Sequence, residues 1–138
     1  MAARILIADD SPVVRSSLKQ LLESHSGFWH VCALAADGHQ AVQKAVESQP
    51  DLVILDLRMP VMDGLTASVV IGKCLPKVPI LINTLHKSLD VDRKAKEAGV
   101  RGVISKSDSR ALLKAVEELL GKNPAPTSNK NAAPDVIR

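Results

Sequence analysis

Acidic, hydroxyl and basic side chains follow directly after short apolar runs of this sequence. Asp9 and Asp10 follow the first run, Asp56 the third, Thr84 the fourth and Lys106 the fifth. Clustered carboxylates repel one another unless a cation compensates, and a hard divalent ion such as magnesium accepts oxygen ligands. A lysine can pair with a carboxylate or a phosphoryl oxygen. These residue types together are typical of a phosphoryl-transfer site with an aspartate nucleophile.

The two neighbouring carboxylates also allow a simpler interpretation. Asp9 and Asp10 precede a helical pattern, and negative charge is favourable at a helix N-terminus. That interpretation does not account for Asp56, which follows a different apolar run. We therefore favour a shared site over a purely structural role.

Five apolar runs predict the elements that would bring these residues together. Most of the runs do not alternate with polar residues, as is typical of strands buried on both faces. They cover residues 5–8, 31–35, 52–55, 79–82 and 102–105. Stretches with helical periodicity lie between and after them, with N-cap candidates at Ser11, Asp37 and Asp63. The alternation predicts a doubly wound α/β fold, a parallel sheet with helices on both faces. Ligands of such sheets bind at the carboxyl ends of the strands.

Length and charge limit the classes of function. The 138 residues are 46% hydrophobic and 24% charged, which fits one folded domain and excludes wholesale disorder. The net charge is only +3, and Phe28 and Trp29 are the only aromatic side chains. A nucleic-acid surface usually needs clustered basic residues and stacking aromatics. We therefore expect no nucleic-acid binding by this chain.

The remaining composition predicts a cytoplasmic protein. No apolar run approaches the ~20 residues that cross a bilayer, so we expect no membrane association. Cys32 and Cys74 have apolar neighbours and are predicted to be buried, reduced thiols. Residues 122–138 contain three prolines and small side chains. We predict a domain over 1–121, followed at 122–138 by a flexible tail or a truncated linker.

Several segments of the chain resemble the receiver domain of bacterial two-component response regulators. They are ILIADDSPVVRSSLKQLL, DLVILDLRMPVMDG, ILINTLH and GVISKSDSRALLKAVEELL, which together span about residues 3–121. The most specific piece is Asp56 with Met59-Pro60 and Asp63-Gly64 at fixed distances after it. The resemblance implies a flavodoxin-like fold with five parallel strands in the order 2-1-3-4-5.

The resemblance also implies roles for individual residues. Asp56 would be the phosphoacceptor, and Thr84 and Lys106 would contact its phosphoryl group. Magnesium would be held by Asp9 (through water), Asp10, Asp56 and the backbone carbonyl of Arg58. The chain would then be a signalling switch and not an enzyme, with a sensor histidine kinase or a phosphotransfer protein as its donor. Its output would be a partner or a homodimer contact on the fourth helix, fifth strand and fifth helix.

Three positions depart from the usual receiver pattern. Leu85 follows the threonine, where a small residue is usual, Val103 stands where many receivers have an aromatic, and Ser107 stands where proline is frequent. Leu85 either covers the site and restricts access or packs into apolar surface. Leu85 and Val103 keep open the alternative of a pseudo-receiver, a protein-interaction module that is never phosphorylated.

Overall fold

A parallel five-stranded sheet organises the protein, as the sequence predicts. The computed structural model describes residues 2–124, so most of the predicted tail, 125–138, lies outside the described residues. The strands are β1 (Ala3–Ala8), β2 (Trp29–Ala35), β3 (Leu52–Leu55), β4 (Ile80–Thr84) and β5 (Gly102–Ser105). Their order in the sheet is β2-β1-β3-β4-β5, and every neighbouring pair is parallel.

Five helices connect and follow the strands. They are α1 (Pro12–His25), α2 (Gly38–Ser48), α3 (Gly64–Cys74), α4 (Leu89–Glu97) and α5 (Ser109–Leu120). The predicted caps are confirmed, because the side chains of Ser11, Asp37 and Asp63 accept backbone N–H bonds at the starts of α1, α2 and α3. These bonds satisfy donors that the first helical turn leaves free.

The sheet separates two apolar cores. Leu55 and Ile82 face one core, which α2, α3 and α4 cover, whereas Ile54 and Leu81 face the other, which α1 and α5 cover. Because successive strand residues point to opposite faces, a strand between two cores must be apolar at every position. This explains the unbroken apolar runs of the sequence.

The structure corrects three expectations. β1 and β2 begin at Ala3 and Trp29, each two residues before the predicted runs. The fourth strand runs from Ile80 to Thr84, two residues beyond the predicted 79–82, because Asn83 and Thr84 pair with Ile104 and Ser105 of β5. Cys74 is exposed at the end of α3 and Cys32 is half-buried, so the prediction of two buried thiols was wrong. Apolar neighbours in sequence did not reveal which side of the helix end faces solvent. Both thiols are free.

Within residues 2–124, none of the helices combines the length and the apolar character that spanning a membrane requires.

Candidate functional site

The carboxyl ends of three strands bring the predicted acidic and basic residues together. Asp9 and Asp10 follow β1, Asp56 follows β3 and Lys106 follows β5. Backbone hydrogen bonds continue past the strand ends and fix these residues in place. The Asp56 N–H donates to the Ala8 carbonyl at 2.8 Å, and the Lys106 N–H donates to the Thr84 carbonyl at 2.9 Å. The sheet itself therefore positions the site.

Lys106 links two buried carboxylates. Its Nζ lies 2.7 Å from Oδ2 of Asp9 and 3.2 Å from Oδ2 of Asp56. Both aspartates are buried, and Asp10 beside them is exposed. The Asp9 Oδ1 also accepts the Ser11 N–H at 2.9 Å, so this carboxylate is held from two sides. The Asp56 carboxylate therefore has the negative charge of Asp9 and the positive charge of Lys106 beside it.

Electrostatics leave the carboxylates short of positive charge. Burial first, and the Asp9 charge second, raise the pKa of Asp56 above its ordinary value, although Lys106 acts in the opposite direction. Burial by itself lowers the pKa of Lys106, but its hydrogen bond to Asp9 and the two carboxylate charges outweigh burial and leave that pKa raised. Within residues 2–124, Lys106 is the only cation paired with these carboxylates, because the nearby Arg15 guanidinium donates to the Asp9 backbone carbonyl instead. One ammonium does not neutralise three carboxylates, and a further cation would relieve their repulsion.

The donor set fits a hard divalent cation. One carboxylate oxygen from each of Asp9, Asp10 and Asp56 lies within 4.8 Å of the others. Oxygen-only ligands with part of the shell left to water suit magnesium. Arg58 lines the same cleft, and its predicted carbonyl ligand stays a prediction.

An open cleft of about 500 Å³ gives access to this cluster. Its lining residues come from four loops and the start of α1: Asp9, Asp10, Ser11, Val14, Asp56, Arg58, Leu85, His86 and Lys106. Leu85 is 71% exposed, so it does not pack inward. Packing into apolar surface is thus excluded, and Leu85 stands in the wall of the cleft, where it narrows the approach to the site.

Thr84 ends β4 beside the cleft. It is fully buried, and its Oγ1 accepts the His86 N–H at 3.0 Å. This bond fixes the start of the loop that carries Leu85 and His86. Contact between the Thr84 hydroxyl and a phosphoryl group stays a prediction.

The loop between β3 and α3 is packed tightly against Asp56. A Cβ at Gly64 would lie 2.1 Å from the Asp56 carbonyl oxygen, and the Gly64 N–H donates to the Leu57 carbonyl at 2.8 Å. Within this loop Val61 has φ of 71°, a left-handed conformation that β-branched residues rarely adopt. The sequence analysis used Gly64 as a helix start and as part of the receiver motif, and it did not predict this close backbone contact.

Asn83 is a second feature that sequence reasoning did not interpret. It is only 4% exposed, and its Oδ1 has no hydrogen-bond partner in the described part of the chain. Its signal in the sequence was an amide next to Thr84 in an otherwise apolar strand, since asparagine is depleted in strands.

Comparison with known proteins agrees with this geometry. The family model described as "Response regulator receiver domain" matches residues 5–117. The chain belongs to this family. The predicted resemblance is thereby confirmed, and with it the placement of this receiver domain in two-component signalling.

Individual relatives give the extent of the similarity. The receiver domain is 37% identical over 114 residues to the transcriptional regulatory protein LnrK of Bacillus subtilis, covering 82% of this chain and 51% of LnrK. It is 38% identical to protein-glutamate methylesterase/protein-glutamine glutaminase 2 of Carboxydothermus hydrogenoformans, covering 86% of this chain and 34% of that protein. The chain thus spans about half or less of the length of these curated relatives.

Solved structures of the family have the same fold. The crystal structure of a LuxR-family two-component response regulator from Aurantimonas sp. SI85-9A1 superimposes with a TM-score of 0.82 at 35% identity, covering 92% of each chain. The predicted strand order and doubly wound fold are confirmed.

Proposed function

We propose that this receiver domain is a phosphoacceptor switch that takes a phosphoryl group on Asp56. A carboxylate oxygen of Asp56 forms a bond to phosphorus while the phosphorus–nitrogen bond of a donor phosphohistidine breaks, and the imidazole leaves. The donor is a sensor histidine kinase or a phosphotransfer protein, in line with the receiver family. The observation that carries the proposal is a buried carboxylate, paired with Lys106 and flanked by Asp9, at the floor of an open cleft.

Each neighbouring residue has a part in this step. Magnesium, when bound, would neutralise charge on the phosphoryl oxygens, and its ligands would be Asp9 (through water), Asp10, Asp56 and the Arg58 carbonyl. Lys106 holds Asp56 in place and offers its ammonium to a phosphoryl oxygen. Thr84 offers a hydroxyl from the end of β4.

The output of the switch is a change in a partner-binding surface. We propose the face formed by α4, β5 and α5 for a protein partner or for homodimerisation. Within residues 2–124, four exposed ion pairs involve α4, among them Arg93 Nη2 2.7 Å from Asp90 and Lys87 Nζ 2.8 Å from Asp92. Such exposed pairs are individually weak, so small changes at the β4–α4 loop can rearrange them. The switch then biases an existing equilibrium between two states.

The decisive experiment is incubation with a small phosphodonor, read by intact mass. Wild-type protein with magnesium gains one phosphoryl group, and removal of magnesium with a chelator slows the gain. Asp56→Asn gains none, because an amide cannot form the acyl phosphate. Asp63→Asn is the matched control, since asparagine still caps α3 and labelling continues. Labelling of the Asp56 variant at the wild-type rate would show that a different residue is the nucleophile.

The pseudo-receiver is the second candidate. Leu85 over the cleft favours it, because a bulky group there restricts the approach of a donor. Magnesium binding without labelling by any phosphodonor would favour this candidate over the phosphoacceptor switch.

A further inference from the structure

Asn83 presents an unsatisfied acceptor inside the sheet, next to the site. It is 4% exposed, and among the described residues its Oδ1 has no donor. A buried polar atom without a partner costs free energy, so natural proteins keep few of them. An apolar side chain would serve the strand better at this position. The amide therefore calls for a role beyond packing.

Strand pairing places Asn83 between Asp56 and Lys106. The β3–β4 register ends at the Leu55–Ile82 pair, and continuing it by one residue puts Asn83 of β4 beside Asp56. On its other side Asn83 pairs directly with Ile104 of β5. Paired residues of parallel strands share a face, and residues two apart along a strand share it as well. Asp56, Asn83 and Lys106 are therefore all on the face that α1 and α5 cover.

The Lys106 side chain must cross β4 to reach its partners. Lys106 follows β5 and Asp56 follows β3, and β4 lies between these two strands. Neighbouring strands are about 4.8 Å apart, so Lys106 and Asp56 start from backbones roughly two strand spacings apart, and their two side chains together bridge that distance. The ion pair therefore lies across the end of the strand that carries Asn83.

The lysine has a donor to spare. An ammonium has three N–H groups, and the contacts with Asp9 and Asp56 account for two. A divalent cation on the carboxylates would compete with the ammonium for the same oxygens. Lys106 then needs an acceptor that does not belong to the metal site.

We propose that Asn83 is a positioning residue for Lys106, whose amide oxygen accepts the ammonium when a cation occupies the carboxylates. The inference rests on the magnesium part of the proposed function. When a metal ion displaces the Lys106 ammonium from the carboxylates, the Asn83 amide oxygen gives the ammonium a buried hydrogen-bond partner. It also keeps the ammonium near the place where a phosphoryl oxygen would arrive.

Magnesium titration of a double-mutant cycle tests this role. The magnesium affinities of Asn83→Val and of the nearly isosteric Asn83→Leu are measured by calorimetry. One of the two variants is enough if the other does not fold. We expect magnesium affinity to fall about three- to tenfold, the net effect of losing one ordinary intramolecular hydrogen bond. In a Lys106→Met background the same Asn83 change is expected to alter affinity less than about twofold, because the group it serves is gone.

Urea unfolding of the metal-free proteins supplies an independent measurement. The urea midpoint of Asn83→Val is expected to rise, because the unsatisfied acceptor is removed. Ile82→Val, on the other face of the same strand, is the matched control and leaves magnesium affinity unchanged. A lowered midpoint for both Asn83 variants would mean that the oxygen is already satisfied in the resting protein, which overturns the proposal.

The remaining outcomes separate this inference from the proposed function. Normal magnesium binding by wild type with unchanged affinity in the Asn83 variants overturns the Asn83 role alone. Equal losses of affinity with and without Lys106 also overturn it, because Asn83 then does not act through the lysine. No magnesium binding by wild type overturns the metal part of the proposed function and this inference with it.

Discussion

Gly64 packs directly on the backbone of Asp56: a Cβ at Gly64 would lie 2.1 Å from the Asp56 carbonyl oxygen. No ordinary non-bonded contact is that short, so any side chain at Gly64 must displace the strand end that holds Asp56. The residue that starts α3 thus sets the position of the proposed nucleophile.

Gly64→Ala is expected to lower the free energy of unfolding by about 1–3 kcal/mol, the usual cost of overpacking. It should also slow labelling by a phosphodonor, because small displacements of reacting atoms cost large factors in rate. Gly72→Ala is the matched control in the same helix, since no atom of the described chain outside its own helical turn lies within 4 Å of its Cβ position. That control should gain about 0.5–1 kcal/mol. If Gly64→Ala and Gly72→Ala change the free energy of unfolding and the labelling rate equally, the close contact between Gly64 and Asp56 is contradicted.

Leu85→Ala is expected to speed both phosphorylation and loss of the phosphoryl group. Leu85 lines the cleft and is 71% exposed, so its removal opens the approach to Asp56. Its exposure also means that stability should change by less than about 0.5 kcal/mol. Leu89→Ala, which is 88% exposed and outside the lining of the cleft, is the control. Stopped-flow rates for Leu85→Ala that match those of the control would exclude gating.

Val61→Gly is expected to stabilise the protein by about 1 kcal/mol, since a β-branched residue is costly in the left-handed region. Val61 has φ of 71° and is 82% exposed, so little packing is lost. Gln49→Gly, at φ of 51°, is the control and should gain less because glutamine is unbranched. Urea unfolding of both variants measures the difference. A loss of stability in Val61→Gly would show that packing, and not strain, dominates there.

Without metal, Asp56→Asn is expected to have a higher free energy of unfolding than wild type. This difference should grow as the pH rises from acid to neutral. Burial and then Asp9 raise the pKa of Asp56 in the folded protein. The protonated form is thus favoured by folding, and its stabilisation is complete below the unfolded pKa and lost as the pH rises through the folded pKa. Asparagine stays neutral throughout. Urea unfolding in the presence of a chelator, from about pH 4 to about pH 7, measures this difference, and a constant difference would contradict the raised pKa.

Asp10→Ala is expected to weaken magnesium binding at least tenfold. Removing even a residue that only hydrogen-bonds to a metal ligand commonly costs about tenfold in metal affinity, and a direct ligand should cost no less. Asp10 is the exposed member of the carboxylate cluster, so the fold should tolerate the change. Glu118→Gln removes an exposed carboxylate of α5 and serves as the control. Equal magnesium titrations of the two variants would contradict the proposed coordination.

The layered fold and the convergence of Asp9, Asp10, Asp56 and Lys106 could be predicted from the amino-acid sequence alone. Unbroken apolar runs require a sheet covered on both faces, and parallel strands must deliver whatever follows them to one edge. These properties depend on local patterns repeated along the chain, so they can be recognised without coordinates.

The exposure and contacts of individual side chains became known only from the tertiary structure, because they depend on how the helices, strands and loops pack together. Sequence could not choose between the two placements of Leu85, because exposure depends on where the β4–α4 loop lies against the cleft. It could not show that Cys74 faces solvent, or that Asn83 is buried with no donor from residues 2–124, since both depend on neighbours far away in the chain. The contact of Gly64 with Asp56 likewise exists only once α3 packs against the end of β3. Side-chain environment is set by packing between elements, and no local pattern records it.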